Sequence, residues 1–545
     1  MFLLGLLTAT VLFHGSGVCS GCRSASRKHQ VIGASATLPD APPLPWKPLL
    51  SPGQLRRGLA FYGSGRRIER VAARLLAGQA ITAVTLGGSV TIGAGSTRTN
   101  VTSYAPMFFQ FLNFSFPHRD HQFLNKGIGA TTSGIFAVCA DKMLPPDSDL
   151  VVVELTYNEP ADVPFTYPHR RGFEKMLRKL ARLPRSPAVI VLHHYAWYHS
   201  HGDGKPAGLF YRAAEPQLST LAQYYDMPSP SLRNALYPLM QADVPPYRVG
   251  RVHKRGEASL SGARLKVAGP RISKGYVYYD AIHPSDVGHQ ALAELLAGVV
   301  QTAVQNVLAE GKLTEGGEAA PSLKPVKLPP PMIPGTADVP TSLCAMQEDF
   351  KPLARAMRGF QYRAERPEKP TFVEQKWGYR GDAPGAWLEL AFSTEEAPGR
   401  RGQATVFLGH LRSYRGMGKA RVTCQSGCTC APTVVNGLWK ERVSLMQMLE
   451  VTVSQHPKCV LRITILDQSS SSSGGDSSSR RRGGGEHEDD VSSSSGSSGS
   501  DGSGSSASSG EGASKFQVVS LMVAHEPVVL TSYATQAADL AQAAG

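Results

Sequence analysis

Ala83-Val84-Thr85-Leu86-Gly87-Gly88-Ser89-Val90 decides the fold of this 545-residue chain. An apolar strand, Ala83 to Leu86, runs into a glycine-rich loop that carries one hydroxyl, Ser89. Open parallel sheets bind ligands at the carboxyl ends of their strands, so Ser89 is expected at the ligand-binding edge of an α/β domain. Far downstream, Asp280-Ala281-Ile282-His283-Pro284 supplies an acid and an imidazole three residues apart. A serine, a histidine and a carboxylate fill the three roles that acyl transfer through a covalent ester requires.

Outward from these motifs, apolar strands alternate with amphipathic helices. Strands are expected over Ala83 to Leu86, His121 to Asn125, Leu150 to Leu155 and Ala188 to His193. Helices are expected over Tyr104 to Phe114, Gly134 to Met143, Arg171 to Leu183, Gln217 to Tyr225 and Ser285 to Leu308. Val151-Val152-Val153 is continuously apolar, as a strand buried on both faces should be, and the alternation is that of βαβ units in a parallel sheet. Pro284 suits a helix start, which leaves His283 on the preceding loop. Tyr237 to Lys274 has no clear period and is expected to be an irregular insertion forming one wall of the site.

Acyl transfer also needs donors for a developing oxyanion. Three candidates lie at successive strand ends: the Ser89 N–H, the small-residue loop Asn125 to Thr131 with Gly129 and Ala130, and the Asn158 side-chain amide. Each has an ordinary alternative, a turn for Gly129 and a helix cap for Asn158. His193, His194, Tyr195, Trp197, Tyr198, His199 and His201 follow the fourth strand. They predict an aromatic rim in which Tyr195 and Trp197 stack on a sugar face, with strand-end packing the simpler role for His193. Without acidic or cysteine partners they are a poor zinc set, and no metal or other cofactor is expected.

Together these four blocks resemble the SGNH (GDSL-type) hydrolase superfamily, over roughly Arg66 to Leu308. With its cysteine-containing tail, the layout is similar to secreted SGNH-like proteins of plants and green algae. The resemblance implies a three-layer α/β/α fold, Ser89 as nucleophile, Asp280 and His283 as its partners, and Gly129 or Ala130 with Asn158 as oxyanion donors. Three positions depart from the family pattern. Gly88 stands where Asp is usual, the family's second-block glycine aligns with Ala130, and Glu159 follows Asn158 in place of Asp.

The remaining organisation is read from composition. Residues 1–22 form an expected signal peptide, with retention as a membrane anchor the alternative. An extension (23–65) precedes the SGNH-like domain (66–310), and a proline-rich linker (311–340) follows it. Next comes a β-rich domain (341–530) of sandwich or jelly-roll type, then a tail (531–545). Within the β-rich domain, 469–514 is nearly all serine, glycine and charge, too polar to bury a core. Of eight cysteines, Cys19 and Cys22 lie at the expected cleavage site, and the six that remain favour disulfides in an oxidising compartment, with a zinc site of Cys424, Cys428, Cys430 and Cys459 the alternative. Asn100-Val101-Thr102 and Asn113-Phe114-Ser115 are glycosylation sequons.

The net charge of +14 includes Arg170, Arg171, Lys175, Arg178, Lys179 and Arg182 on one expected helix. That helix reads as a solvated face, with an acidic polysaccharide the functional alternative and no nucleic-acid module in evidence. Trp377, Trp387 and Trp439 are expected in the core of the β-rich domain, or on a carbohydrate-binding surface. The reading as a whole is a secreted esterase taking acyl groups, chiefly acetyl, from an extracellular or cell-wall glycan. An O-acyltransferase using the same residues and a non-catalytic glycan-binding protein are its alternatives.

Overall fold

The computed structural model describes residues 40–129, 131–161, 163–199, 213–252, 275–313, 323, 327–365, 367, 376–399, 401–439, 444–467 and 514–525. Ala130, His201, the signal peptide, the tail and, apart from Ser514, the serine-rich insertion lie outside them.

In chain order, the first part of the molecule contains α1 (Pro52–Gly58), β1 (Leu59–Phe61), α2 (Arg66–Leu76), β2 (Thr82–Gly87), α3 (Ser89–Ile92), α4 (Thr99–Thr102), α5 (Tyr104–Ser115) and β3 (Gln122–Gly127). There follow α6 (Ser133–Met143), β4 (Leu150–Glu154), α7 (Pro168–Ala181), β5 (Ala188–Val191), α8 (Glu215–Tyr224), β6 (Ser229–Pro230), α9 (Leu232–Gln241) and α10 (Asp286–Ala309). Helix α9 occupies the start of the expected irregular insertion, because Ser231 caps it by accepting from the Asn234 N–H and its apolar face is buried.

Strands β2 to β5 form a parallel sheet in the order β3-β2-β4-β5. Alternate side chains divide between two cores, as a strand period of two demands. Ala83, Leu150, Val152 and Ile190 meet α2, α5, α9 and α10 on one face. Val84, Leu86, Val151 and Val153 meet α6, α7 and α8 on the other. The result is a three-layer α/β/α unit. From β2 the chain crosses first to β3 on one side and later to β4 on the other, so the carboxyl end of β2 is the switch point where a crevice opens.

The second part is a sandwich of antiparallel sheets. Its strands are β7 (Leu343–Met346), β8 (Ala354–Arg358), β9 (Phe360–Arg363), β10 (Gly378–Gly381), β11 (Trp387–Phe392), β12 (Gln403–Arg412), β13 (Lys419–Ser426), β14 (Thr433–Asn436), β15 (Leu445–Ser454), β16 (Cys459–Ile465) and β17 (Phe516–Ala524). A six-stranded sheet runs β15-β12-β17-β10-β9 with β7 also on β17, and a five-stranded sheet runs β14-β13-β16-β11-β8. Val406, Leu408 and Leu521 point between the sheets towards Leu388, Leu461 and Ile463. From the outer face of the larger sheet, Phe407 and Met522 enter the core that contains α6 and α7.

Among the described residues three disulfides form, Cys139–Cys344, Cys424–Cys430 and Cys428–Cys459. The last four thiols are thus bonded to each other and not to zinc. Cys139–Cys344 joins α6 to β7 across the two parts.

Residues 327–341 are fastened as a strap along α7, which corrects the reading of that helix as a solvated face. Buried Glu174 accepts from Met332 N–H (2.5 Å), Ile333 N–H (3.2 Å), Thr336 Oγ1 (2.6 Å) and Tyr225 OH (2.5 Å). Arg178 pairs with Asp338 at 2.6 Å, Arg182 pairs with the same carboxylate, and Lys179 pairs with Asp141 at 3.3 Å. Arg170, fully buried, pairs with Glu159 at 3.4 Å. Glu174→Ala strands these donors, so it is expected to cost on the order of 3 kcal/mol in urea unfolding, with Glu174→Gln costing less. Equal midpoints for wild type and Glu174→Ala would refute the strap's anchoring role.

Candidate functional site

Gly88, in extended backbone (φ −86°), turns β2 into α3, and Ser89 opens that helix at the switch point. The first N–H groups of a helix have no intrahelical partner, and the Ser89 N–H is unpaired among the described residues. After α3 the chain turns through Gly93 to Thr97 and docks on the loop entering α10. Gly95 (φ +93°) is required there, since a Cβ would lie 2.2 Å from the Pro284 carbonyl and 3.0 Å from the His283 Cβ. Asp286, in the first turn of α10, accepts from Thr97 N–H (2.8 Å) and Thr97 Oγ1 (2.6 Å).

This docking brings together side chains 194 residues apart. Ser89 Oγ lies 2.7 Å from His283 Nε2, and His283 Nδ1 lies 2.8 Å from Asp280 Oδ2. A carboxylate only accepts, so Nδ1 carries the proton towards Asp280 and Nε2 is left to accept from the serine hydroxyl. Asp280 Oδ1 accepts the Ile282 and His283 N–H groups, each at 2.8 Å. Burial pushes the Asp280 carboxyl up, but the hydrogen bonds and charge of His283 outweigh it and hold it below the usual carboxylate value. The arrangement can draw a proton from Ser89 and stabilise the imidazolium that results.

The sequence reading missed His194 as part of this apparatus. It is buried behind the histidine loop, with Nε2–H donating to the Ile282 carbonyl at 2.9 Å. Burial depresses it to about 4, so it is neutral and acts as a brace. Tyr195 and Trp197 do not form a rim. Both are buried in the core, where their rings meet each other edge-on at 6.3 Å and pack on Tyr237. Large apolar rings at a strand end find more contact beneath α9 than in solvent. His193 is also internal, bonded to Thr156 Oγ1 (2.8 Å) and Ser219 Oγ (3.1 Å).

Of the oxyanion candidates, Asn158 is buried against the turn that carries Ser89. A Cβ at Gly88 would stand 2.4 Å from Asn158 Oδ1 and 2.7 Å from Nδ2, so Gly88 makes room for that amide. Glu159 places its longer side chain on the Ser133 N–H at the start of α6 (2.8 Å) as well as on Arg170, which ties the Asn158 turn to two helices. Gly129 closes on Ile92, where a Cβ would find the Ile92 side chain at 3.5 Å. Both sequon residues, Asn100 and Asn113, are exposed.

A buried polar brace lies under these loops. Asn125 donates through Nδ2 to the Thr91 carbonyl (2.6 Å) and accepts the Gly127 N–H (2.9 Å), clamping the β3 loop to α3. Thr91 Oγ1 lies 2.7 Å from Tyr104 OH and 3.3 Å from Glu154 Oε2. The Glu154 carbonyl accepts the Gly88 N–H at 3.3 Å. One signal for it was visible, a lone acid ending an otherwise apolar strand.

No family model and no curated protein matches the chain. Among solved structures it is similar to a two-domain esterase (CEX) active on acetylated mannans, at 17% identity and a TM-score of 0.52, covering 88% of this chain and 98% of that chain. The structure of that description co-crystallized with mannopentaose aligns equally well, over 87% and 99%. A possible lipase from Chitinophaga pinensis DSM 2588 covers 43% of this chain and 100% of that one, at 17% identity and a TM-score of 0.28. The first two likenesses are of fold: an α/β unit followed by a β-sandwich, the architecture of a two-domain esterase.

Burial pushes the Glu154 carboxyl from its ordinary 4.5 up to about 8. Between those values the folded chain keeps a proton that the unfolded chain has released, so this group's contribution to stability falls as pH rises through the window. Glu154→Gln is therefore expected to gain stability relative to wild type progressively from about pH 5 to 8 in urea unfolding. A difference independent of pH would contradict this.

Proposed function

We propose that this chain is a secreted serine esterase of SGNH type that removes acyl groups, acetyl foremost, from an extracellular or cell-wall glycan. The observation that carries the proposal is the hydrogen-bonded series Ser89, His283, Asp280 at the switch point of a parallel sheet. The fold likeness to an esterase acting on acetylated mannans supports the substrate class. Three disulfides and two exposed sequons support secretion.

In this mechanism Ser89 Oγ attacks the ester carbonyl while its proton passes to His283 Nε2. The oxyanion is held by the Ser89 N–H, by the loop at Gly129 and Ala130, and by the Asn158 amide. Collapse expels the sugar alkoxide, which takes the proton from His283, and leaves the acyl group on Ser89. Water then attacks the acyl-enzyme, giving its proton to His283, and Ser89 is released with a free carboxylic acid. Asp280 holds the imidazole tautomer throughout.

Ser89→Ala is expected to abolish labelling by a fluorophosphonate probe and to lower kcat on p-nitrophenyl acetate by on the order of 10⁴-fold or more. Labelling that persists in Ser89→Ala would overturn the proposal. Gly88→Ala forces the Asn158 amide aside, so it should lower kcat by about 10²-fold with Ser89 still able to label. Full kcat in that variant would remove Asn158 from the mechanism.

A further inference from the structure

The outer face of the six-stranded sheet does not meet the α/β unit everywhere. Between it and the loop after β3 lies a cleft of about 300 Å³, lined on one side by Lys126, Gly129 and Lys142 and on the other by Met346, Asp349 and Trp377. We propose that this cleft binds the glycan backbone next to the ester and selects a chain bearing carboxylates, such as an acylated polyuronate. The proposal deepens the esterase reading and rests on it for the ester's position.

Location is the first support. Gly127 to Gly129 line the cleft and also belong to the loop that closes on Ile92, three residues after Ser89. A sugar chain lying in the cleft would therefore pass along that loop. The volume is at the small end of the range for specific ligand sites, enough for a short stretch of chain and not for a globular partner.

Trp377 is the second. Trp377 stacks on Tyr362, at 5.7 Å and 25°, and is half-buried on the cleft wall. A rigid indole at a cavity edge offers a flat apolar surface for the C–H face of a pyranose.

Charge is the third, and it selects the ligand. Arg170, Arg178 and Lys179 of α7, and Arg182 just beyond it, are committed to Glu159, Asp338 and Asp141. The larger cavity along that seam, about 550 Å³, has its Lys179 and Arg182 neutralised, and shares Lys142 with the cleft. Lys376, at the cleft, is held by Glu365 (3.4 Å) and the Ser444 carbonyl (2.6 Å). Lys126, on β3, and exposed Lys142, on α6, have no ion-pair partner among the described residues. Two uncommitted ammonium groups against one lining carboxylate, Asp349, leave a positive field in a chain whose net charge is +14. A neutral glycan would gain hydrogen bonds from them but not the attraction between opposite charges.

The test is kinetic, with an acetylated oligogalacturonate and an acetylated neutral mannooligosaccharide assayed on each variant. Lys126→Gln/Lys142→Gln should raise KM for the oligouronate about tenfold relative to the neutral oligosaccharide on the same variant, and weaken the salt dependence of the former. Trp377→Ala should raise KM for both. Wild type that prefers the neutral chain, or variants that leave the KM ratio unchanged, would overturn the proposal. Calorimetry with unacetylated oligogalacturonate tests the cleft even if no ester is cleaved. Binding by wild type that weakens in the lysine variant supports it, and absence of binding refutes it. Loss of fluorophosphonate labelling, by contrast, bears on the esterase reading alone.

Discussion

The docking of the Gly93–Thr97 turn onto the loop entering α10 is the contact on which the candidate site depends. The parallel sheet presents Ser89 at its switch point, but a hydroxyl there is an ordinary alcohol until a base is brought beside it. Gly95 permits the close approach that places His283 across from Ser89, and the Asp286 carboxylate fixes the register by holding both donors of Thr97. On the far side His194 props the Ile282 carbonyl, so the histidine loop is held from two directions. Neither support touches the reacting atoms, yet each determines the geometry they can adopt.

The same logic of commitment governs the seam between the two parts of the molecule. A row of cations on α7 would be a polyanion site if left to solvent. Here Glu174, Asp338 and Asp141 turn it into the bed of a strap, and the Cys139–Cys344 bond fixes the sandwich beside α6. Lys126 and Lys142, by contrast, have no ion-pair partner among the described residues and line the cleft at the β3 loop. A fixed seam also gives the cleft a constant width, which a flexibly tethered module would not provide.

The α/β layers were legible because buried parallel strands write themselves as runs such as Val151-Val152-Val153, and because helices between them keep a 3.6-residue period. Ser89, Asp280 and His283 were legible for a related reason: each sits at the boundary of a periodic element, where a polar residue must be accounted for. What escaped was long-range. Nothing local to Tyr195 and Trp197 says that α9 will cover them, and nothing in a run of arginines and lysines reveals carboxylates that arrive from residues 327–341. Glu154 was in plain view as an acid ending an apolar strand, but its partners Thr91 and Tyr104 belong to other elements. The short strands β7 to β10 and β14 carry too few residues to display a period of two.

Covalent acylation of Ser89 is the step on which the proposed mechanism turns. Peptide mass spectrometry of the enzyme, acid-quenched during turnover of an acetyl ester, tests it directly. One acetyl group is expected, located on the peptide that contains Ser89. Sustained turnover with the acetyl group on another residue, or with no acylated peptide at all under conditions where deacylation limits the rate, would contradict it.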